Sequence, residues 1–209
     1  MSLEIRIVKG KIELITGLHI GAGNDDIHIG GVDTQVVKDR DGMPYIPGSS
    51  LKGKIRSLLE LSEGLIDAKQ TGPVSSDAAP NSIIPKMFGD TVKYRSRLLF
   101  RDCFISEDSK KELLDKAIPA TEAKVENAIN RWEGKCISPR TIERVISGIK
   151  FDYEIVVRLF DGEDEKEIKD KLLFGMRMLQ NDALGGSGSR GYGKIKFVES
   201  EWNKEKFEL

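Results

Sequence analysis

Two stretches of helical periodicity, each set among stretches of alternating character, restrict this chain to a mixed α and β architecture. The first covers Ser49–Glu60, where Leu51, Ile55, Leu58 and Leu59 fall on one stripe. The second covers Glu165–Gln180, with Ile168, Leu172, Met176 and Leu179 on one face. Acidic residues at its start suit the positive end of a helix dipole. Around these helices, alternation predicts strands. Leu3, Ile5 and Ile7 alternate with Glu4 and Arg6, and Ile12 and Leu14 resume the pattern after Gly10, so one long strand bent at that glycine is expected. Leu98–Ile105, Phe151–Phe160 and Lys194–Glu199 supply three more strands, the second rich in aromatic and β-branched residues.

The resulting order is strand, helix, strand, strand, helix, strand. That is the βαββαβ pattern of an α+β, ferredoxin-like or RNA-recognition core, expected here as one domain over residues 1–209. Two insertions interrupt it. Residues 64–97 begin with a stretch, Gly64–Asn81, rich in Gly, Pro and Ser and poor in large apolar residues, which predicts an exposed segment. A short helical turn is expected in Ile83–Gly89, and a short helix or a loop over Ser109–Ala117. Residues 118–150 alternate polar and apolar around Glu133-Gly134, which predicts a projecting hairpin. The third core strand lacks the glycines of the aromatic RNA-binding signature, so any RNA should be held by loops and hairpin and not by the sheet face.

A formal net charge of −1 excludes a global basic field; nucleic-acid binding must come from local clusters. Cys103 and Cys136 are the only cysteines, too few for a disulfide framework or a cysteine-rich zinc site, and suited to a reducing compartment. Met1–Lys11 alternates charged and aliphatic residues, which predicts no secretion signal, and no apolar run reaches the length of a membrane span. The expectation is a soluble, cytoplasmic protein without a membrane partner.

Several local clusters carry chemistry. In Gly30–Glu60, the acidic Asp33 precedes a short apolar strand, and Ser49 and Ser50 are placed to cap the first helix. Lys52 and Arg56 share one flank of that helix and Lys54 the other. Free N–H groups beside cations make a phosphate seat; a capped amphipathic helix with a solvated basic face accounts for the same residues. Arg131, Lys135, Arg140 and Arg144 around Trp132 make the hairpin either an RNA-touching arm or a decorated surface element. His19, Asp25, Asp26 and His28 lack metal-ligand spacing, and the last three read as a solvated turn; His19 stands at a strand end, where a side chain can be aimed. Asp102, inside a strand, must be paired, at an edge, or functional. Gly186–Gly191 matches GxGxxG and Gly188–Lys194 nearly matches a P-loop, but both motifs need a strand before and a helix after, and here the order is reversed. What remains is a glycine loop with Arg190 and Tyr192 whose amides can meet phosphate oxygens.

The combination of TGLHIG at Thr16–Gly21, Asp33, YIPGSSLKGKIRSLLE, TEAKVENAINRWEGK with PRTIERV, and GGSGSRGYGKI resembles the RAMP superfamily, and within it the backbone-subunit family of type III-A CRISPR (Csm) effector complexes. The resemblance covers almost the whole chain. It implies a subunit that stacks with copies of itself along a guide crRNA, beside other Csm or Cas subunits, and cuts paired target RNA at regular intervals with a divalent metal, Mg²⁺. It implies that residues 64–97 are a lid and 118–150 a thumb. Asp33 matches the catalytic aspartate and the expected metal contact. His19, Ser49, Lys52, Lys54, Arg56, Arg131, Arg140, Gly186, Arg190, Gly191 and Tyr192 fall at guide- or RNA-contacting positions. Asp102, Glu122 and Glu143 match acidic positions expected to be auxiliary. The alternative is a non-catalytic RNA-binding filament subunit in which Asp33 is a turn residue.

Overall fold

The structure is a computed structural model that describes residues 3–23, 33–67 and 72–205. The turn predicted at Asp25, Asp26 and His28 lies outside the described residues. The core sheet uses β1 (Leu3–Leu14), β2 (Leu98–Phe100), β6 (Lys150–Phe160) and β7 (Ile195–Lys204) in the order β2-β6-β1-β7, with β3 (Phe104–Ile105) also on β6. All pairings are antiparallel. Helices α1 (Gly48–Ser62) and α4 (Glu165–Asn181) connect these strands, and β1, β2, β6 and β7 with the two helices complete the βαββαβ pattern.

Alternation divides the sheet into two faces. Val8, Ile12 and Leu14 of β1 and Phe151, Ile155 and Val157 of β6 join Leu51, Ile55 and Leu59 of α1 and Leu172, Met176 and Leu179 of α4 in one buried cluster. Gly175 sets the approach of the helices: a Cβ there would lie 2.8 Å from Ile55 and 3.1 Å from Leu59. The opposite positions of the central strands pair Lys11 with Asp152 and Lys9 with Glu154. Burial pushes the Asp152 carboxyl above its ordinary value. The central strands thus offer paired charges on this face, not the aromatic platform of an RNA-reading sheet.

The bend expected at Gly10 is present. The β1–β7 register slips between Lys9 and Lys11, and a Cβ on Gly10 would meet two β7 carbonyls at 2.8 Å. The strand expected over Leu98–Ile105 is divided in two. Between its halves Cys103 exchanges backbone hydrogen bonds with Ile46, at 2.8 and 2.9 Å, and so ties the entrance of α1 to the sheet. The apolar stretch after Asp33 forms isolated bridges, not a strand. The last strand runs beyond its expected end, to Lys204.

The first insertion is less exposed than its composition predicts. Val74 and Ala79 are buried, and α2 (Ile84–Phe88) adds Ile84, Met87 and Phe88 to the interior. Asp90 accepts backbone N–H bonds from Ser76, Lys93 and Tyr94, which closes the segment on itself. Helix α3 (Glu107–Asp115) follows, capped by Ser106. The second insertion is the expected hairpin: β4 (Thr121–Ile129) and β5 (Cys136–Val145) form a separate two-stranded sheet that turns at Gly134 with φ +70°. Trp132 at its tip is 95% exposed.

Candidate nucleic-acid interface

The hairpin base gathers residues from four distant parts of the chain. Leu18, just after β1, exchanges backbone hydrogen bonds with Val145 at 2.8 and 3.0 Å. The segment 34–37 lies between this element and β5: Gly21 bridges Val36, and Thr34 bridges Ile142. Asp33 opens that segment and is clasped to β5 twice. Its N–H donates to the Thr141 carbonyl at 2.8 Å, and its Oδ2 accepts from the Thr141 N–H at 2.5 Å. Residues 108 positions apart in sequence thereby place an exposed carboxylate on the edge of the hairpin. Asp33 Oδ1 has no partner among the described residues.

Glu143 fastens the same junction from inside. Its Oε1 accepts from Lys38 Nζ at 2.7 Å and Thr121 Oγ1 at 2.8 Å, and its Oε2 accepts from the Val36 N–H at 3.0 Å. Burial alone would raise this carboxyl; Lys38, the Val36 amide and Thr121 together hold it below its ordinary value. Expected as an auxiliary acid, Glu143 is instead a buried strut between the Asp33 loop and both thumb strands. Its backbone carbonyl also meets His19 Nδ1 at 2.7 Å, which sets the direction of that ring. Glu122 is paired as well, with Arg144 at 2.7 Å across the hairpin.

Helix α1 departs from its sequence reading. Neither Ser49 nor Ser50 caps it; the cap residue is Pro47, and the first amide, of Gly48, donates to Asp102 Oδ1 at 2.7 Å. Asp102 is therefore a cap supplied from the strand break, and a carboxylate already stands where a phosphate seat was expected. Arg56 is also reassigned. It is 8% exposed and binds Glu60 at 2.7 Å, the Gly89 carbonyl at 2.9 Å and the Val74 carbonyl at 2.8 Å, so it staples the first insertion to the helix and does not face solvent. Lys52 has no acidic partner among the described residues, and burial, then the Arg56 charge, lowers its pKa. Ser49 stays exposed, and Lys54 reaches Asp182 at 3.0 Å.

The glycine loop packs beside His19. Gly186 N–H donates to the His19 carbonyl at 2.9 Å, and a Cβ on Gly185, at φ +75°, would stand 2.3 Å from that oxygen. Tyr192, expected among the RNA-contacting residues, is 1% exposed, its ring centroid 4.6 Å from Lys124 Nζ and 4.9 Å from Arg144 Cζ. Burial, and the Glu126 carboxylate it faces, push its phenol pKa up. Arg190 pairs with Glu126 of β4 at 2.8 Å. Gly191 remains exposed, as do Arg131 and Arg140 on the thumb. A cleft of about 650 Å³ opens between the loop and the first helix, lined by Thr16, Lys54, Asp182, Ser189 and Lys194.

Thr141, Thr121, Lys38 and Glu126 were not among the expected site residues. A signal existed for one of them: Glu122, Lys124 and Glu126 alternate along β4, which puts three charges on one face. That face meets Arg144, Tyr192 and Arg190. No three His, Cys, Asp or Glu side chains converge as a metal cage among the described residues. The donor set at Asp33 is one carboxylate, which fits an ion such as Mg²⁺ only where water and phosphate supply its remaining ligands.

Comparison with known proteins places this geometry. The RAMP superfamily pattern matches residues 11–196. The CRISPR system Cms endoribonuclease Csm3 of Methanocaldococcus jannaschii is 42% identical over 91% of this chain and 77% of its own length. Its Enterococcus italicus counterpart is 41% identical over 95% and 91%. Among solved structures, a Csm3–Csm4 subcomplex of the type III-A CRISPR-Cas interference complex matches 97% of this chain and 80% of the solved chain, with a TM-score of 0.62 and 33% identity. A type III-B Cmr-beta complex bound to cognate target RNA shares the fold alone, with a TM-score of 0.66 at 16% identity over 96% of this chain and 61% of the other. With a family pattern spanning nearly all of it and relatives this similar over most of their length, the chain belongs to the RAMP superfamily and, within it, to the Csm3 family.

Proposed function

We propose that this chain is a guide-binding backbone subunit of a type III CRISPR effector complex and that it cleaves target RNA at the base of its thumb. Its partners are a crRNA, the paired target RNA, further copies of the chain and other Csm or Cas subunits, in the cytoplasm. The names of its relatives support an endoribonuclease. The observation that carries the reading is the clasp between Asp33 and Thr141. It fixes an exposed carboxylate on the element that the family resemblance sets between nucleotides.

RNA brings its own nucleophile, the 2′-OH, so this chain mainly has to hold the backbone in line for attack. With Oδ2 engaged by Thr141, the other oxygen of Asp33 is the one able to accept a proton or to contact a hydrated Mg²⁺. When bound, such an ion would stabilise charge on the phosphoryl oxygens. Lys52, the thumb residues Arg131 and Arg140, and the glycine loop lie on exposed or half-exposed surface suited to phosphate contact.

The clasp also favours a second reading, a purely architectural filament subunit, because anchoring the loop would by itself account for an aspartate. Asp33→Asn separates the two. Asparagine keeps an oxygen for the Thr141 N–H and removes the charge. Assemblies with wild type, Asp33→Asn and Asp33→Ala are given a labelled RNA complementary to the guide, with Mg²⁺ or EDTA. Regular cuts by wild type, lost with EDTA and in both variants while guide binding is kept, are expected. Cutting by Asp33→Asn at the wild-type rate would overturn the catalytic assignment and leave Asp33 as an anchor.

A further inference from the structure

We propose that Glu126 and Asp182 are built-in phosphate surrogates: each occupies a cation of the glycine-loop region that an RNA phosphate takes over on binding. The inference rests on the reading of this chain as a guide-RNA binder, and it concerns how that binding is gated.

The geometry is specific. Arg190 Nε meets Glu126 Oε2 at 2.8 Å, and its guanidinium also donates to Ser187 Oγ. On the far wall of the cleft, Lys54 Nζ meets Asp182 Oδ2 at 3.0 Å. A carboxylate and a phosphodiester present equivalent acceptor oxygens to a guanidinium or an ammonium. Both cations are open to incoming RNA, with side chains 56% exposed for Arg190 and 33% for Lys54.

The Glu126 carboxylate also faces the buried Tyr192 phenol, and its Oε1 lies 3.9 Å from Lys124 Nζ, so it is shared among three neighbours. Ser187 holds φ +61°, a left-handed conformation that favours glycine. Glu126 lies on β4, so exchanging it for phosphate at Arg190 releases one fastening between the thumb and the glycine loop. The loop thus holds the thumb before RNA arrives and yields it afterwards.

The surrogates compete with RNA, so removing their charge should tighten binding. Each pair is a partly exposed ion pair, and freeing its cation should strengthen binding roughly two- to fivefold. The test measures binding of a labelled single-stranded guide RNA to the purified chain at fixed salt. Wild type is compared with Glu126→Gln, Asp182→Asn, Arg190→Gln, the double variant Glu126→Gln/Arg190→Gln, and Glu112→Gln, whose partner Lys116 is the C-cap of α3. Asparagine at 182 keeps an acceptor for the Ala183 N–H, and thermal melting establishes that each variant is folded. The expected result is tighter binding by Glu126→Gln and Asp182→Asn, no change for Glu112→Gln, and no gain from Glu126→Gln once Arg190 is gone. Equal or weaker binding by folded Glu126→Gln and Asp182→Asn overturns the proposal while leaving the guide-binding reading in place. An equal gain in the Arg190→Gln background also overturns it, because the effect would then be the general field of one carboxylate. If neither wild type nor any variant binds RNA, the guide-binding reading falls and the proposal with it.

Discussion

Replacing Arg56 by Met separates a structural arginine from a nucleic-acid contact. The residue is 8% exposed and Glu60 only 3%, and the same Glu60 oxygen that takes Arg56 at 2.7 Å also accepts the Val74 N–H at 3.1 Å. Methionine fills much of the volume but strands the Glu60 charge. Breaking one partner of a buried pair costs about 3–5 kcal/mol. For a chain of 209 residues, where about 1 kcal/mol moves the melting temperature by ~2–4 °C, the expected drop is roughly 6–20 °C. Removing both charges with Arg56→Met/Glu60→Leu should recover much of it, since an apolar pair of similar volume often matches a buried ion pair. The assay is thermal melting of the free protein, with guide-RNA titration at a temperature where every variant is folded. Unchanged guide affinity with a large melting shift is the expected pattern. A melting temperature within about 2 °C of wild type, together with about tenfold weaker guide binding (~1.4 kcal/mol), would refute the reasoning and return Arg56 to the RNA-contacting set.

Other outcomes follow from the same contacts. Asp102→Ala should lose about 0.5–2 kcal/mol in denaturant unfolding, with Asp102→Asn close to wild type, and assembled complexes of either should still cut target RNA. Gly193→Ala should be more damaging than the ~1–2 kcal/mol of a left-handed residue alone, because at φ +72° its Cβ would stand 1.9 Å from the Leu184 carbonyl oxygen; melting and expression yield report it. Glu143 has a folded pKa below its unfolded value near ~4.3, so its stabilisation is present above that pH and is lost as pH falls through the folded value. Protection of the Val36 amide from hydrogen exchange, relative to its intrinsic rate at each pH, should therefore fall in acid, and Glu143→Gln should flatten that pH dependence.

The core was legible because its signals are local and redundant. The stripes of α1 and α4 and the alternation of β1 and β6 each state which face is buried, and a helix or strand read this way needs no knowledge of its partner. The hairpin was legible for the same reason, from alternation around Glu133-Gly134. The cap of α1 was not. Ser49 and Ser50 satisfy the local rule, but the acceptor comes from Asp102, brought in by a strand break that the apolar run over Leu98–Ile105 conceals. Arg56 misled for a related reason: on a helical wheel it flanks the buried stripe, and only the return of Val74 and Gly89 over it decides that it is enclosed. Asp33 is singled out by resemblance, whereas its clasp to Thr141 depends on a pairing between segments over a hundred positions apart, which no local pattern encodes.

The thumb is also a mechanical element. Its strands of 9 and 10 residues make a ribbon about 30 Å long, and two strands alone are marginally stable in water. It is pinned at one end, through Val145 to Leu18, Glu143 to Val36 and Thr141 to Asp33, and its other end presents Trp132 to whatever lies beyond. A ribbon held this way is a cantilever, and Asp33 sits near its fulcrum. A load at the tip swings Trp132 through a wide arc but turns the carboxylate through a small one. The ribbon can therefore bend to follow what its tip meets while the Asp33 carboxylate stays nearly fixed.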